Sequence, residues 1–477
     1  RFDETYIAAI QKITPEDVQK AAKKYLDLSQ AILVVLHPHS EKITLNQALL
    51  KRGSHHITRF EKLQQHSGAT VYRLPNGIRV VLKENHRLPL VAIKTASYGG
   101  LRYETQKNNG VSSLISSVIT KGTQTLSQLA LAEKCEWLAG GIGGYAGRNS
   151  FGLSCGFLSE KLKRAIPWFA DVLLNPAFDP KEVEKEKRLQ LEAIKNRGDN
   201  LAQSSLRLVM RKLFRGHPFA MHMLGENKSV QALTAKYLSD LYTSLVVPEN
   251  LVVSCVGDFP SDEMLEMLNE TLCALPQKKL EAMTCKAPHT PKQLVSLTQH
   301  KQKQQAHITL GFLGPSMYNS DRFALEIIHS ILSGQGGRLF LNLRDKQSLA
   351  YTVTSNAIQG IETGYFGLYI ATDPAKVSQA TDGLKGEVKR LRTELVSIDE
   401  IKRAQNYIIG NHEIDHQKNS AIAQQLATGE LLKKNLSEFF DFQKDVLKVT
   451  RNDVMRVAKK YLRLDAAVLG IVGPKSS

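Results

Sequence analysis

The chain has 477 residues, of which 42% are hydrophobic and 23% charged, a globular composition with room for two or three domains. Its net charge of +17 favours acidic partners, but the basic residues are dispersed and no nucleic-acid motif accompanies them, which argues against nucleic acid as the partner. No apolar run approaches the roughly 18 residues that cross a bilayer, so no membrane span is expected.

The five cysteines (Cys135, Cys155, Cys255, Cys273, Cys285) are scattered and read as buried thiols, with a Cys135–Cys155 bridge left open. Residues 13–38 (ITPEDVQKAAKKYLDLSQAILVVLHP) and 449–474 (VTRNDVMRVAKKYLRLDAAVLGIVGP) align without a gap. Each predicts a helix followed by an apolar strand. Thr14 supplies the cap of the first helix and Pro15 its first position, and Ala31–Leu36 is the strand. The first copy has almost nothing before it, so 1–38 is expected to close a preceding lobe whose remainder lies outside this sequence. Residues 39–69 are polar and read as a linker with room for a short helix.

A new domain is expected from Val71, opening on a hairpin turned by Asn76-Gly77. A strand (90–97) and a helix (110–120) follow, then a polar helix (126–138), a Gly-rich turn (140–144) and a strand (151–156). Long amphipathic helices fill 159–174 and 180–197, and strand 251–256 ends the unit. From 293 the same order returns: AHITLGFLGP echoes VAIKTASYGG, a helix at 321–333 echoes 110–120, and strands at 349–357 and 365–371 precede two long helices. The expected fold is α+β: two homologous lobes (70–285 and 286–477), each an antiparallel sheet flanked by long helices.

An ordered series of motifs carries a resemblance. Strand-Asn-Gly-strand is followed by a helix that starts after Asn108-Asn109-Gly110 and ends in Lys121-Gly122-Thr123. Asn175-Pro176-Ala177-Phe178, EKEKRLQLEAIKNRGDN, His217-Pro218 and Val256-Gly257-Asp258-Phe259 come next, in that order. Together they resemble the pitrilysin/insulinase family of zinc metallopeptidases, which includes the mitochondrial processing peptidases. The resemblance implies that family's fold, with full-length members built of four lobes or of two subunits of two lobes each.

Active lobes of the family carry His-x-x-Glu-His on the helix after the second strand. Two histidines one turn apart bind zinc, the glutamate deprotonates water, and a later Glu completes the shell. Here that helix reads GVSSLISSVITKGT, with Ser113 and Ser117 at the histidine positions and Ser116 at the base position. The later position falls on Ala193, beside Glu192. Serine hydroxyls are poor zinc ligands and alanine is none, so no metal is expected in this chain and zinc is expected in the N-terminal half.

GGRLFLNLRDKQSLAYTV is similar to the stretch in which non-catalytic lobes hold an Arg and a Tyr, here Arg344 and Tyr351. The resemblance implies that they face the zinc, hold a substrate carbonyl and stabilise the oxyanion. Gly336 and Gly337 are expected to bind the peptide beside a sheet edge. The implied partners are an N-terminal catalytic half, in the same polypeptide or a separate subunit, and unfolded, preferably acidic, peptides. The implied setting is the bacterial periplasm or envelope. A catalytically dead assembly scaffold is the second reading.

Residues 412–416 read His-Glu-Ile-Asp-His, a literal H-E-x-x-H that would make the chain an autonomous metallopeptidase. Asp415 places a charge inside the motif, Gly410 and Asn411 weaken the helix before it, and Glu430 and Glu438 are poor third ligands. The motif is expected to be a coincidental polar face. His55, His56 and His66 read as linker residues, and the Gly-rich run 140–147 lacks the Lys-Ser/Thr ending of a phosphate loop.

Overall fold

A computed structural model describes residues 13–26, 60–281 and 283–475. It divides into two units, 1–60 and 61–477. In the first, the described part is one helix, α1 (Pro15–Tyr25), capped by a reciprocal Thr14/Asp17 box with no residue buried. The strand expected at 31–36 lies outside the described residues.

The second unit holds two sheets. The first contains β1 (Glu61–His66), β2 (Ala69–Arg73), β3 (Arg79–Glu84), β4 (Leu90–Tyr98), β5 (Gly141–Ala146), β6 (Ser150–Leu158) and β7 (Leu251–Gly257), in the order β1-β2-β3-β7-β4-β6-β5. The second contains β8 (Val295–His300), β9 (Ala306–Gly314), β10 (Thr352–Ile358), β11 (Gly364–Thr372) and β12 (Val468–Gly473), in the order β10-β11-β9-β12-β8. Aligning β3 with β8 and β7 with β12 makes the two orders the same, with β1–β2 as an added hairpin. In both sheets the first and last of the shared strands pair in parallel, β3 with β7 and β8 with β12, while the other pairs are antiparallel. The purely antiparallel sheets expected from the sequence are therefore each mixed by one pair, because the chain returns beside its own first strand.

Helices connect and cover the sheets. They are α2 (Val111–Val118), α3 (Gln128–Trp137), α4 (Leu162–Leu174), α5 (Pro180–Asn196), α6 (Leu201–Leu213), α7 (Ala235–Leu245) and α8 (Ser261–Leu272) in the first lobe. The second has α9 (Asp321–Leu332), α10 (Val377–Thr393), α11 (Ile398–Asp415), α12 (Asn419–Leu431) and α13 (Arg451–Tyr461). Helix α13 repeats the cap of α1 through Thr450 and Asp453, but buries Val454, Val457 and Ala458.

Two helices cross between lobes. Helix α12 lays Ile422, Ala423, Leu426, Ala427 and Leu431 on Val71, Val81, Ala92 and Val252 of the first sheet. Arg79 pairs with Glu430 at 3.0 Å at its edge. In return α6 packs on β9 and β12, with Ser205 Oγ bonded to Thr309 Oγ1 at 2.8 Å in a buried contact. Each sheet is thus covered in part by the other lobe's helix, and burying that many aliphatic side chains, each worth about 1.5–3 kcal/mol, couples the lobes.

Two sequence readings are corrected here. Residues 61–69, read as linker, form β1 and the start of β2, turned by Ser67 and Gly68 at φ 47° and 76°. The Gly-rich segment read as a turn is strand β5. Its glycine content answers to packing: a Cβ on Gly144 would stand 2.2 Å from the Ser116 carbonyl oxygen, so only glycine lets α2 lie directly on the strand.

Candidate functional site

Helix α2 begins at a buried anchor. The Glu104 carboxylate accepts from Gly110 N at 2.7 Å, Asn109 Nδ2 at 2.8 Å and Ser112 N at 3.0 Å, so it caps the first turn. Burial raises the Glu104 pKa, and these bonds oppose the rise. Leu114, Ile115 and Val118 are buried beneath the helix. Helix α5 packs alongside: Gln190 Nε2 donates to Gly110 O at 3.0 Å, and Glu186 pairs with Lys121 at 3.1 Å.

Ser113, Ser116 and Ser117 lie on α2, and two of the three hydroxyls turn back to the helix backbone. Ser116 and Ser117 both donate to the Ser113 carbonyl, at 2.8 and 3.2 Å. Ala193 lies on α5 one turn beyond Gln190 and two beyond Glu186, on the side of α5 that meets α2, and it is exposed, as is its neighbour Glu192. The four positions that the resemblance assigns to zinc ligands and base offer three hydroxyls and a methyl. That donor set does not fit zinc. Among the described residues no group of three His, Cys, Asp or Glu side chains could hold a metal.

The second lobe presents its polar groups on the segment after α9. Gly337 N bonds to Gly334 O at 3.0 Å, and a Cβ on Gly337 would stand 2.3 Å from Ser333 O, so the tight bend needs glycine there; a Cβ on Gly336 would meet only Arg403 Nη1, at 3.9 Å. Arg338 then forks onto Glu400, with Nε and Nη2 at 2.6 and 2.9 Å from its two oxygens. This guanidinium, helped by Ser397, holds the Glu400 pKa at about 2. A π-turn over Phe340–Asp345 carries Arg344. Its guanidinium carbon lies 4.7 Å from the Phe340 ring centre and 5.6 Å from that of Tyr351.

Tyr351 is 78% exposed and Arg344 is exposed. The loop bringing the tyrosine back is pinned by Leu349 N to Leu343 O at 2.9 Å and Thr372 Oγ1 to Leu349 O at 2.6 Å. Arg344 and Tyr351 therefore sit side by side. Among the described residues neither side chain forms a hydrogen bond or an ion pair, so both remain open to a ligand.

The His412–His416 segment has a different geometry. His412 stacks on Phe442 with ring centres 4.3 Å apart, His416 packs edge-on to Phe439 at 4.9 Å, and the two Nδ1 atoms are 3.0 Å apart. His416 Nε2 meets Gln425 of α12 at 3.1 Å. Burial, then the neighbouring His416, pull the His412 pKa to about 4. Glu413 points outward, its side chain 64% exposed. Glu430 is held by Arg79, and Glu438 lies 3.7 Å from Arg322. The pair packs the end of α11 against α12 and has no third ligand among the described residues. All five cysteines are free, with Cys135, Cys155 and Cys255 buried.

Two family models match the chain, and their boundary at 227–232 falls within the first lobe. Residues 79–227 match the family model described as insulinase (peptidase family M16), and residues 232–408 match the one described as the peptidase M16 inactive domain. An uncharacterised zinc protease of Rickettsia bellii is 24% identical over 410 residues, covering 85% of this chain and 98% of its own. One from Bacillus subtilis is 24% identical over 413 residues, with the same two shares. Among solved structures, a peptidase M16 inactive domain from Pseudomonas fluorescens superposes with a TM-score of 0.80 at 22% identity, covering 86% of this chain and 99% of that one. A chain of complex III2 from Candida albicans gives 0.72 at 18% identity, covering 84% and 95%.

Proposed function

Since the chain belongs to the M16 peptidase family, we propose that it is a non-catalytic half of a zinc endopeptidase. In this reading a zinc-bearing half, in the same polypeptide or in a separate subunit, hydrolyses an unfolded peptide. This chain closes over that peptide and supplies Arg344 to a backbone carbonyl and Tyr351 to the oxyanion. Gly336 and Gly337 expose backbone where an extended peptide adds to the sheet. The observation carrying the proposal is the adjacent, unengaged Arg344 and Tyr351 in a chain whose zinc positions hold no ligand.

The test is reconstitution with a zinc-bearing M16 subunit from the same organism. Arg344→Ala and Tyr351→Phe should each lower peptide turnover by about 100-fold or more, the scale of losing one oxyanion donor (~2.7–4 kcal/mol). Turnover unchanged in both variants would sink the assignment. The likeness in fold to a complex III2 chain supports a scaffold as second reading. A scaffold would form the same stable assembly with or without the two side chains and would not stimulate hydrolysis.

A further inference from the structure

A separate cavity of 270 Å³ lies where the end of α5, helix α6 and the end of β8 meet. Its wall is cationic: Lys195, Arg197, Arg207, Arg211 and Lys301 line it, with the His222 ring beside them. We propose that this cavity is a binding site for a compact, multiply charged oxyanion of the phosphate class.

Charge balance is the first argument. Glu226 is the carboxylate engaged here, and it already spans two guanidiniums, with Oε2 at 3.0 Å from Arg197 and Oε1 on Arg207. Nearby Asp199 is taken by Lys303 at 3.4 Å. Lys195 and Arg211 have no carboxylate partner among the described residues, and Lys301 donates to Gly198 O and Ser204 Oγ instead. Five cations thus face one carboxylate, in a pocket where Arg197 and Arg207 are half-buried and Lys195 and Arg211 are exposed.

Shape is the second argument. Forked guanidiniums match tetrahedral oxyanions two bonds at a time, and Glu226 shows that Arg197 and Arg207 converge on one anionic group. The volume suits a small ion and is too small for an extended peptide. The local potential also acts on a neighbouring group. His222 is held neutral with a pKa of about 4, first by burial, then by Arg197 and Arg207 and more weakly by Arg148, against Glu226. Its Nδ1 accepts from Leu224 N at 3.1 Å. An anion seated among these arginines should raise the His222 pKa.

Calorimetric titration of the whole chain with sodium pyrophosphate at fixed ionic strength tests the site. One ion per chain should bind with a dissociation constant below about 1 mM. Lys195→Gln with Arg211→Gln, both exposed and unpaired with any carboxylate, should weaken binding about tenfold with circular dichroism and melting unchanged. Arg207→Gln should weaken it further. The His222 ring resonance should titrate at higher pH with pyrophosphate present. Heats no larger than those from chloride at equal ionic strength, or an equal loss in Lys163→Gln with Arg164→Gln on the exposed face of α4, would overturn the proposal.

Discussion

The two lobes share one strand order yet differ in the side chains they present, and on the proposed function they would hold opposite parts of a peptidase site. In the first, the scaffold around α2 is complete: the Glu104 cap, the glycine contact to β5, and α5 alongside. On the proposed function, its zinc positions are the ones held by Ser113, Ser116, Ser117 and Ala193. In the second, the bend at Gly337, the Arg338–Glu400 fork and the π-turn lie along the segment that carries Arg344 and leads to Tyr351. The contrast shows that metal chemistry and fold are separable here. Leu114, Ile115 and Val118 hold α2 from beneath, so side chains on its outer face can change at little cost to stability.

That contrast can be broken most forcefully by restoring the missing groups. Ser113→His, Ser116→Glu, Ser117→His and Ala193→Glu together should bind one zinc per chain at micromolar concentration or tighter, about 8 kcal/mol of binding free energy, measured by competition with a chromogenic chelator. No stoichiometric zinc would mean that α5 does not approach α2 as described.

Next in size is the coupling between lobes. Ala427→Asp on α12 or Val209→Asp on α6 would place an unpaired carboxylate at a position that is 0% exposed against the other lobe's sheet. Each should cost more than about 4 kcal/mol and unfold the whole second unit in one urea transition. Two separate transitions would mean that the lobes are independent, and the exchange of helices merely a contact.

The sequence shows the lobe plan well, because hairpin signals, capped helices and apolar strands are local. The Thr14/Asp17 and Thr450/Asp453 boxes form as their spacing predicts. Burial is not local: Val18 is 58% exposed, whereas its counterpart Val454 is 0% exposed under its own sheet. The exchange of α6 and α12 escaped sequence reasoning for the same reason, since an amphipathic helix does not say which sheet it covers. Strand β1, EKLQQH, was hidden by its polarity, which suits an edge strand with both faces near water. The cationic cavity was hidden too, because its residues come from four places in the chain and sequence shows only dispersed charge.

On the second-lobe side, Arg338→Ala tests whether the loop is held independently of the core. It should cost about 3 kcal/mol, the scale for removing one partner of a buried pair. The sign of its pH dependence follows from Glu400, whose folded pKa is depressed to about 2. Its contribution is complete above the ordinary carboxylate range and is lost as pH falls through that range toward 2. Acid unfolding of the parent should therefore show a slope in this window that Arg338→Ala flattens. An unchanged slope would place the acid sensitivity elsewhere.

The smallest effect is expected at the serines of α2. Ser113→Ala, Ser116→Ala and Ser117→Ala should each change stability by less than about 0.5 kcal/mol, in either direction. The hydroxyls of Ser116 and Ser117 only bond back to a carbonyl of their own helix, which replaces water without adding a tertiary contact. If the triple alanine variant instead lost peptide turnover in the reconstituted enzyme while keeping its melting temperature, the serine face would be contacting substrate. The division of labour between the two lobes would then be less complete than their side chains suggest.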